Sequence, residues 1–332
     1  MPILTAVSSS VHQFHRLLRC INISTKAQVQ ISPDGLRFSV EDARVIQGVA
    51  FLEKTLFTSY RFDQPARTLE DNASQANFDP DMPIFQISLS ALLETLSIFG
   101  ATDTNRERLA RDFYTSGITN ARNGAVSAAF DTRTLGMAGV CRIGYRSLGD
   151  SLNITLEEGN VTTTCQLTTY DPETFEDIPF DRDSLTLKII MRASLLFDAV
   201  QELSSTGPDR LTLICSPSHA AAFRLSASGD LGSASIDFTN EPQLLETFQC
   251  HRRDVNVYKF SMFKSASKAM AMASKVSIRI DDQGVLSLQF MVELAELEGK
   301  VSFIDFRFVP YVAEDEDASS DESSSPSNSD GE

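Results

Sequence analysis

No stretch of this 332-residue chain approaches the ~20 consecutive apolar residues that a membrane-spanning helix requires. Its opening, Met1-Pro-Ile-Leu-Thr, has neither the basic nor the apolar region of a secretory signal, which predicts an intracellular protein with no membrane partner. Asn22, Asn72, Asn153 and Asn160 each begin an Asn-X-Ser/Thr triplet, but without a secretory route these matches are fortuitous. Cysteine is sparse: Cys20, Cys141, Cys165, Cys215 and Cys250 are scattered, odd in number and without CxxC spacing. Reduced core thiols, rather than disulfides or a zinc site, are the expectation.

Catalytic signatures are missing too. No glycine-rich phosphate loop follows a strand, and neither Gly-X-Ser-X-Gly nor HExxH occurs. His219 and His251 stand alone. A metal-dependent nuclease needs carboxylates converging on one or two cations. Here the acidic clusters fall at Asp79–Asp81, in 170–183 and in the last twenty residues, all loop-like, while Glu41-Asp42 and Asp281-Asp282 sit at turns. The sequence therefore argues for a non-enzymatic protein with no cofactor and no metal. A nuclease acting on DNA ends is the alternative class.

What the chain has in excess is negative charge, −16 from 45 acidic and 29 basic residues. Residues 313–332 hold eight of the acids and no base, so removing them leaves −8 on the body. Such a body cannot coat a polyanion with its whole surface, but it can present one basic face. The tail has no apolar anchor and is expected to be disordered, with Ser319, Ser320 and Ser323–Ser325 in an acidic setting that suits phosphorylation.

Hydrophobic periodicity divides the rest into two rounds of one grammar: strand, helix, hairpin, strands, helix, more strands. The first round has a helix at Val11–Ile21, a hairpin about Ser32-Pro33-Asp34-Gly35, strands at 45–51, 56–62 and 85–89, and a helix at Ser90–Phe99. Two polar insertions, 63–83 and 102–123, interrupt it before strands at about 125–131, 135–146, 152–158 and 161–169. The acidic segment 170–183, YDPETFEDIPFDRD, reads as a linker. The second round runs from a strand at 185–191 and a helix at 193–203 to a final strand at 300–309. Helices too few to cover both sides of the sheets imply an α+β layering with helices on one face.

Two helices carry basic faces. On the first, His12, His15, Arg16 and Arg19 recur at helical spacing opposite Phe14, Leu17 and Leu18. On the second, expected over 263–274, Lys264, Lys268, Ala271 and Lys275 share one side, and Phe263, Ala266, Met270 and Ala273 the other. The helix at 193–203 instead exposes Asp198, Gln201 and Glu202, and Ser90–Phe99 exposes Glu94. A hairpin follows the second basic helix, with Asp281-Asp282-Gln283-Gly284 as its turn.

The residues from Ile87 to Gly100 (ISLSALLETLSIFG) and from Ser274 to Met291 (SKVSIRIDDQGVLSLQFM) resemble the Rad-one family of checkpoint proteins, subunits of the 9-1-1 DNA-damage clamp. Pro2-Ile-Leu-Thr, Pro33-Asp-Gly, Leu156-Glu-Glu-Gly-Asn-Val, and Val309-Pro310 before an acidic tail fit the same family. The resemblance covers residues 1–312. It implies the DNA sliding-clamp fold shared with proliferating-cell nuclear antigen. In that fold two similar domains (1–169 and 184–312) are joined by a connecting loop (170–183), with helices on the inner face and antiparallel sheets outside. It further implies a nuclear heterotrimer with two other clamp subunits, a checkpoint clamp loader, double-stranded DNA held without sequence specificity, and docking of repair enzymes. Parts of the family have been described as 3′→5′ exonucleases.

Carried onto this chain, the resemblance turns the basic faces toward DNA and closes the ring through two edge strands. Those are Val161, Thr162, Thr163, Thr164, Cys165, Gln166 and Leu167 on one side, and Ser233, Ala234, Ser235, Ile236, Asp237 and Phe238 on the other. It also sets a partner-peptide pocket at Val40, Val45, Ile178, Pro179, Phe180, Val309 and Pro310.

Overall fold

The computed structural model describes residues 1–9, 11–64, 82–97, 139–158, 160–172, 177–217, 221–294 and 299–311. The strand expected at 125–131, most of the two polar insertions and the acidic tail lie outside them.

The first half of the chain runs β1 (Leu4–Ser8), α1 (Val11–Cys20), β2 (Lys26–Ser32), β3 (Gly35–Asp42), β4 (Ile46–Glu53), β5 (Ser59–Phe62), β6 (Ile84–Ser88), α2 (89–97), β7 (Val140–Tyr145), β8 (Leu152–Glu158) and β9 (Val161–Leu167). The second runs β10 (Leu185–Arg192), α3 (Ala193–Leu203), β11 (Pro208–Cys215), β12 (Phe223–Gly229), β13 (Gly232–Phe238), β14 (Leu245–Cys250) and β15 (Asp254–Lys259). It ends with α4 (Phe260–Ser265), α5 (Ser267–Met272), β16 (Lys275–Asp281), β17 (Leu286–Leu294) and β18 (Lys300–Phe308). Among the described residues no helix is long and apolar enough to cross a membrane.

Strand order repeats between the halves. The order β5-β1-β7-β8-β9 in the first recurs as β14-β10-β16-β17-β18 in the second, and β4-β3-β2-β6 recurs as β13-β12-β11-β15. One pairing breaks the equivalence. β18 lies antiparallel to β4, Ile304 opposite Ala50 through Phe308 opposite Ile46, and fuses two of these units into a nine-stranded sheet. The strands equivalent to that joined pair, β9 and β13, stand at sheet edges.

At the junction, alternate residues point to opposite faces. Gly48 and Phe306 face α1, and a Cβ added at Gly48 would stand 3.1 Å from the Phe306 ring and 3.3 Å from Ile21. The next residues along, Gln47 and Arg307, face away and bond the chain segment around Ile178. Helices and connector therefore cover opposite faces of one sheet. On the helical side α1 packs against α5, and α5 against α3.

Local chemistry explains the turns. At the β2–β3 turn Gly35 has φ +152°, and a Cβ there would meet the Leu52 carbonyl at 2.2 Å. At the β16–β17 turn Gly284 has φ +80°, and the buried Asp281 carboxylate accepts from the backbone N–H groups of Gln283 (3.1 Å) and Val285 (2.8 Å).

Two expectations need correcting. The helix expected at 263–274 is two short ones over 260–272, broken at Ala266. The Ser265 and Ser267 hydroxyls bond the Ser261 and Lys264 carbonyls and compete with the helical ladder there. Phe260 opens the first of the two helices. The strand expected at 56–62 begins only at Ser59, because Lys54–Leu56 forms a single 3₁₀ turn.

The absent side chain at Gly48 yields a test. Gly48→Val would overpack the space between Phe306 and Ile21 and lower stability by about 1–3 kcal/mol. Urea unfolding should show an earlier midpoint with an unchanged slope.

Candidate nucleic-acid interface

α1 buries Phe14, Leu17 and Leu18, which turns Arg16 and Arg19 into solvent. α4 and α5 bury Phe263, Ala266, Ala269 and Met270 and expose Lys264 and Lys268. Because α1 packs on α5, Lys268 joins Arg16 and Arg19 at one seam. Cys20 reports the convergence. Burial pushes its thiol up to about 12, against the opposing pull of Lys268, Arg16 and Arg19. None of these three cations makes an ion pair among the described residues.

The other expected DNA-facing residues differ. Lys275 is not on the helix at all. Ser274 already donates its N–H to the Met291 carbonyl, so the chain is extended there, and Lys275 opens β16 with its Nζ 2.7 Å from Glu246. Its charge is locally compensated. Lys264 Nζ donates to Ser204 Oγ at 2.7 Å, which turns it toward α3. His12 and His15 are half-buried, and burial, with Arg19 and His12 nearby, holds His15 below its usual pKa, so it is neutral near pH 7. Among the described residues no group of three His, Cys, Asp or Glu side chains could hold a metal ion.

The wall changes sign along its length. α3 exposes Ser194, Asp198, Gln201 and Glu202, and α2 exposes Ser90 and Glu94. Among the described residues, Arg16, Arg19 and Lys268 gather at the α1–α5 seam, the same place where β18 joins β4 behind it.

The two expected edge strands have one burial pattern. In each, the first two residues are exposed, exposed and half-buried positions then alternate, and the last, Leu167 or Phe238, is buried. Those two end residues thus belong to the core and offer nothing to a neighbour. Thr163, Cys165, Ala234 and Ile236 are half-covered. In β18 and β4 the equivalent inward positions, Ile304, Phe306, Gly48 and Ala50, are buried because each of those strands has a neighbour on both sides.

On the outer face, the Asp177 carboxylate accepts from Arg37 Nη2 at 2.8 Å and Gln47 Nε2 at 2.6 Å. The Ile178 N–H donates to Gln47 Oε1 at 3.1 Å, and Arg307 donates to the Ile178 carbonyl. Sequence reasoning missed this clasp, since its partners lie 130 and 140 residues apart. Its only trace in the sequence is that Arg37 and Gln47 fall on outward-facing positions. Two residues of the expected peptide pocket are ruled out by burial. Val40 is 0% exposed within the sheet, and Ile178, 5% exposed, is where the connector is held down through its backbone N–H and carbonyl. Val45, Phe180, Val309 and Pro310 are half-buried and Pro179 is exposed, beside a cleft of ≈ 220 Å³ lined by Pro179, Phe180, Asp181, Asp281 and Gln283.

Burial alone would raise the Asp177 carboxyl, but the Arg37 charge and the hydrogen bonds from Arg37 and Gln47 hold it below the usual range. Asp305, on the same face, goes the other way, raised by burial. Because its folded pKa is depressed, Asp177 stabilises the folded clasp above the unfolded carboxyl value of ~3.9 and loses that contribution as pH falls through the folded value. Hydrogen exchange should therefore show the Ile178 amide protected at neutral pH and opening in acid. Asp177→Asn should remove that pH dependence.

Three comparisons bear on this geometry. The family model described as "Repair protein Rad1/Rec1/Rad17" matches residues 3–292. A Schizosaccharomyces pombe protein called "DNA damage checkpoint control protein rad1" is 33% identical, over 92% of this chain and 86% of that one. "DNA repair exonuclease REC1" of Mycosarcoma maydis is 21% identical, over 87% of each. Among solved structures, PCNA from Thermococcus kodakaraensis superposes with a TM-score of 0.62 at 17% identity, covering 93% of this chain and all of that one, which shows the sliding-clamp fold.

Proposed function

The chain belongs to the repair protein Rad1/Rec1/Rad17 family, and we propose that it encircles duplex DNA as one non-catalytic member of a three-subunit ring. It is a subunit of the DNA-damage checkpoint clamp. The observation that carries the encircling role is the α1–α5 seam, where Arg16, Arg19 and Lys268 present positive charge on the helical face of an otherwise acidic protein. Three cations at one seam suit loose, sequence-independent phosphate contact that permits sliding.

The ring closes by strand addition. Supporting this, β18 pairs with β4 within this chain, which joins the two proposed clamp domains, 1–169 and 184–312, across one sheet, and β9 and β13 are the equivalent edges left for neighbours. The two neighbours are the other checkpoint-clamp subunits, and a clamp loader opens the ring in the nucleus. Repair enzymes dock on the outer ledge made by Val45, Pro179, Phe180, Val309 and Pro310 beside the connector 170–183.

The second reading, a 3′→5′ exonuclease, draws on the name of the distant relative REC1. A divalent-metal-dependent nuclease activity that co-purifies with the chain and vanishes on changing one carboxylate would favour it over the ring.

Deleting one cation that touches a phosphate should flatten the dependence of log K on log salt by about 0.9. Neutralising Arg16, Arg19 and Lys268 with Gln, in the assembled ring, should flatten it by that amount per residue. Lys275→Gln should leave the slope alone, because Glu246 already compensates it. Equal slopes for all variants would remove the seam from the DNA path.

For the edges, Thr164→Pro and Ser235→Pro each delete a backbone donor and stiffen the strand. Native mass spectrometry should show each variant losing one of its two neighbours. A complete heterotrimer from both would mean the ring closes elsewhere.

A further inference from the structure

Two of the five cysteines meet where the two sheets of the second half turn into each other. Cys215 ends β11, opposite Asp254 of β15, while Cys250 ends β14, opposite Leu187 of β10. Only residues 251–253 separate the end of β14 from the start of β15, so the chain folds the two thiols together. Cys215 Sγ lies 3.8 Å from the Asp254 carbonyl and Cys250 Sγ 2.9 Å from the Arg252 carbonyl, two residues away on the same turn, and Cys250 is among the groups that act on the Cys215 thiol. The other three do not share this arrangement. Cys20 and Cys141 are buried on separate elements, and Cys165 lies on the β9 edge.

The pair is also asymmetric. Cys215 is 2% exposed, whereas Cys250 is half-buried and open to solvent on one side. Burial, with Cys250 and Asp254 beside it, pushes the Cys215 thiol up to about 12, so it stays protonated near neutral pH. Cys250 is thus the thiol a small oxidant reaches first, and Cys215 the one waiting behind it.

We propose that Cys215 and Cys250 are a reversible redox pair that closes to a disulfide when the chain meets a peroxide. The Cys250 thiolate attacks one peroxide oxygen, the O–O bond breaks, and the leaving oxygen departs as water once protonated, which leaves Cys250 as a sulfenic acid. The Cys215 sulfur then attacks that sulfur, gives up its proton, and expels the second oxygen as water. The two cysteines are oxidised by two electrons in total and the peroxide is reduced by two. A disulfide needs its sulfurs ~2.05 Å apart, and the turn at 251–253 is the segment that must shift to bring the neighbouring thiols to bonding distance. The loop so closed contains β12 and the open edge strand β13. Oxidation therefore restrains an edge that is free in the reduced chain. This inference rests on the thiol geometry and stands whether or not β13 joins a ring.

The test uses the full-length chain and hydrogen peroxide. Non-reducing peptide mapping should recover residues 215 and 250 in one linked peptide pair, reversed by dithiothreitol and absent in Cys250→Ser. In Cys215→Ser, Cys250 should instead advance to sulfinic or sulfonic acid, having lost its resolving partner. Hydrogen exchange in β13 should slow several-fold on oxidation of the wild type and not in Cys250→Ser. Because Cys250 is half-exposed, that variant should keep its fold, which circular dichroism would verify. The proposal is overturned if peroxide over-oxidises Cys250 in the wild type while Cys215 remains alkylatable. It is equally overturned if both thiols survive untouched, or if the only cross-link joins Cys165 residues of two chains.

Discussion

The antiparallel pairing of β18 with β4 is the contact on which the rest of the molecule depends. It joins a strand from the end of the chain to one near its beginning, so that two copies of one topology share a nine-stranded sheet. Everything on either side takes its position from that joint. Gly48 and Phe306 let α1 settle on the inner face, which brings α1 against α5 and gathers Arg16, Arg19 and Lys268. On the outer face Gln47 and Arg307 hold the connector. A single ladder of hydrogen bonds thus sets both the charged wall and the outer ledge, because side chains one residue apart in a strand point opposite ways.

Much of this is legible in the sequence, and the misses have physical causes. Period-two and period-3.6 patterns locate nearly every described strand and helix, and the turn residues at Gly35 and Gly284 are where backbone geometry demands them. α1 can be read because Phe14, Leu17 and Leu18 fix its buried stripe. The helix before β16 is overextended in the sequence reading because its end is set by a long-range bond, from the Ser274 N–H to the Met291 carbonyl, that hydrophobic periodicity does not register. That error carries Lys275 onto a helical face it does not occupy. The repeat can be read as architecture, yet the junction cannot, since nothing local in β4 or β18 says which strand will sit beside it. The Asp177 clasp, and the meeting of Cys215 with Cys250, are hidden for the same reason: the partners are brought together only by the fold.

The wall's uneven charge follows from the same repeat. α1 and α3 hold equivalent places, but α1 presents arginines and α3 presents Asp198 and Glu202. The two helices share apolar stripes, which the core requires, and differ on their solvent faces. A polyanion near this wall is drawn toward the seam and repelled from the flank, with a strength that salt reduces over about 10 Å at 0.1 M. The overall acidity of the chain discourages indiscriminate adhesion elsewhere on its surface.

The free edges of β9 and β13 have a bearing on the chain on its own. Each exposes a row of backbone groups beside half-covered side chains, at two separate margins of one molecule. A lone copy therefore carries these two open margins, and among the described residues no strand pairs with the outer side of either. Surplus copies would meet one another, or the cell's proteases, through those margins. Keeping two strands of seven residues each out of unintended pairings becomes a physical requirement for such a protein.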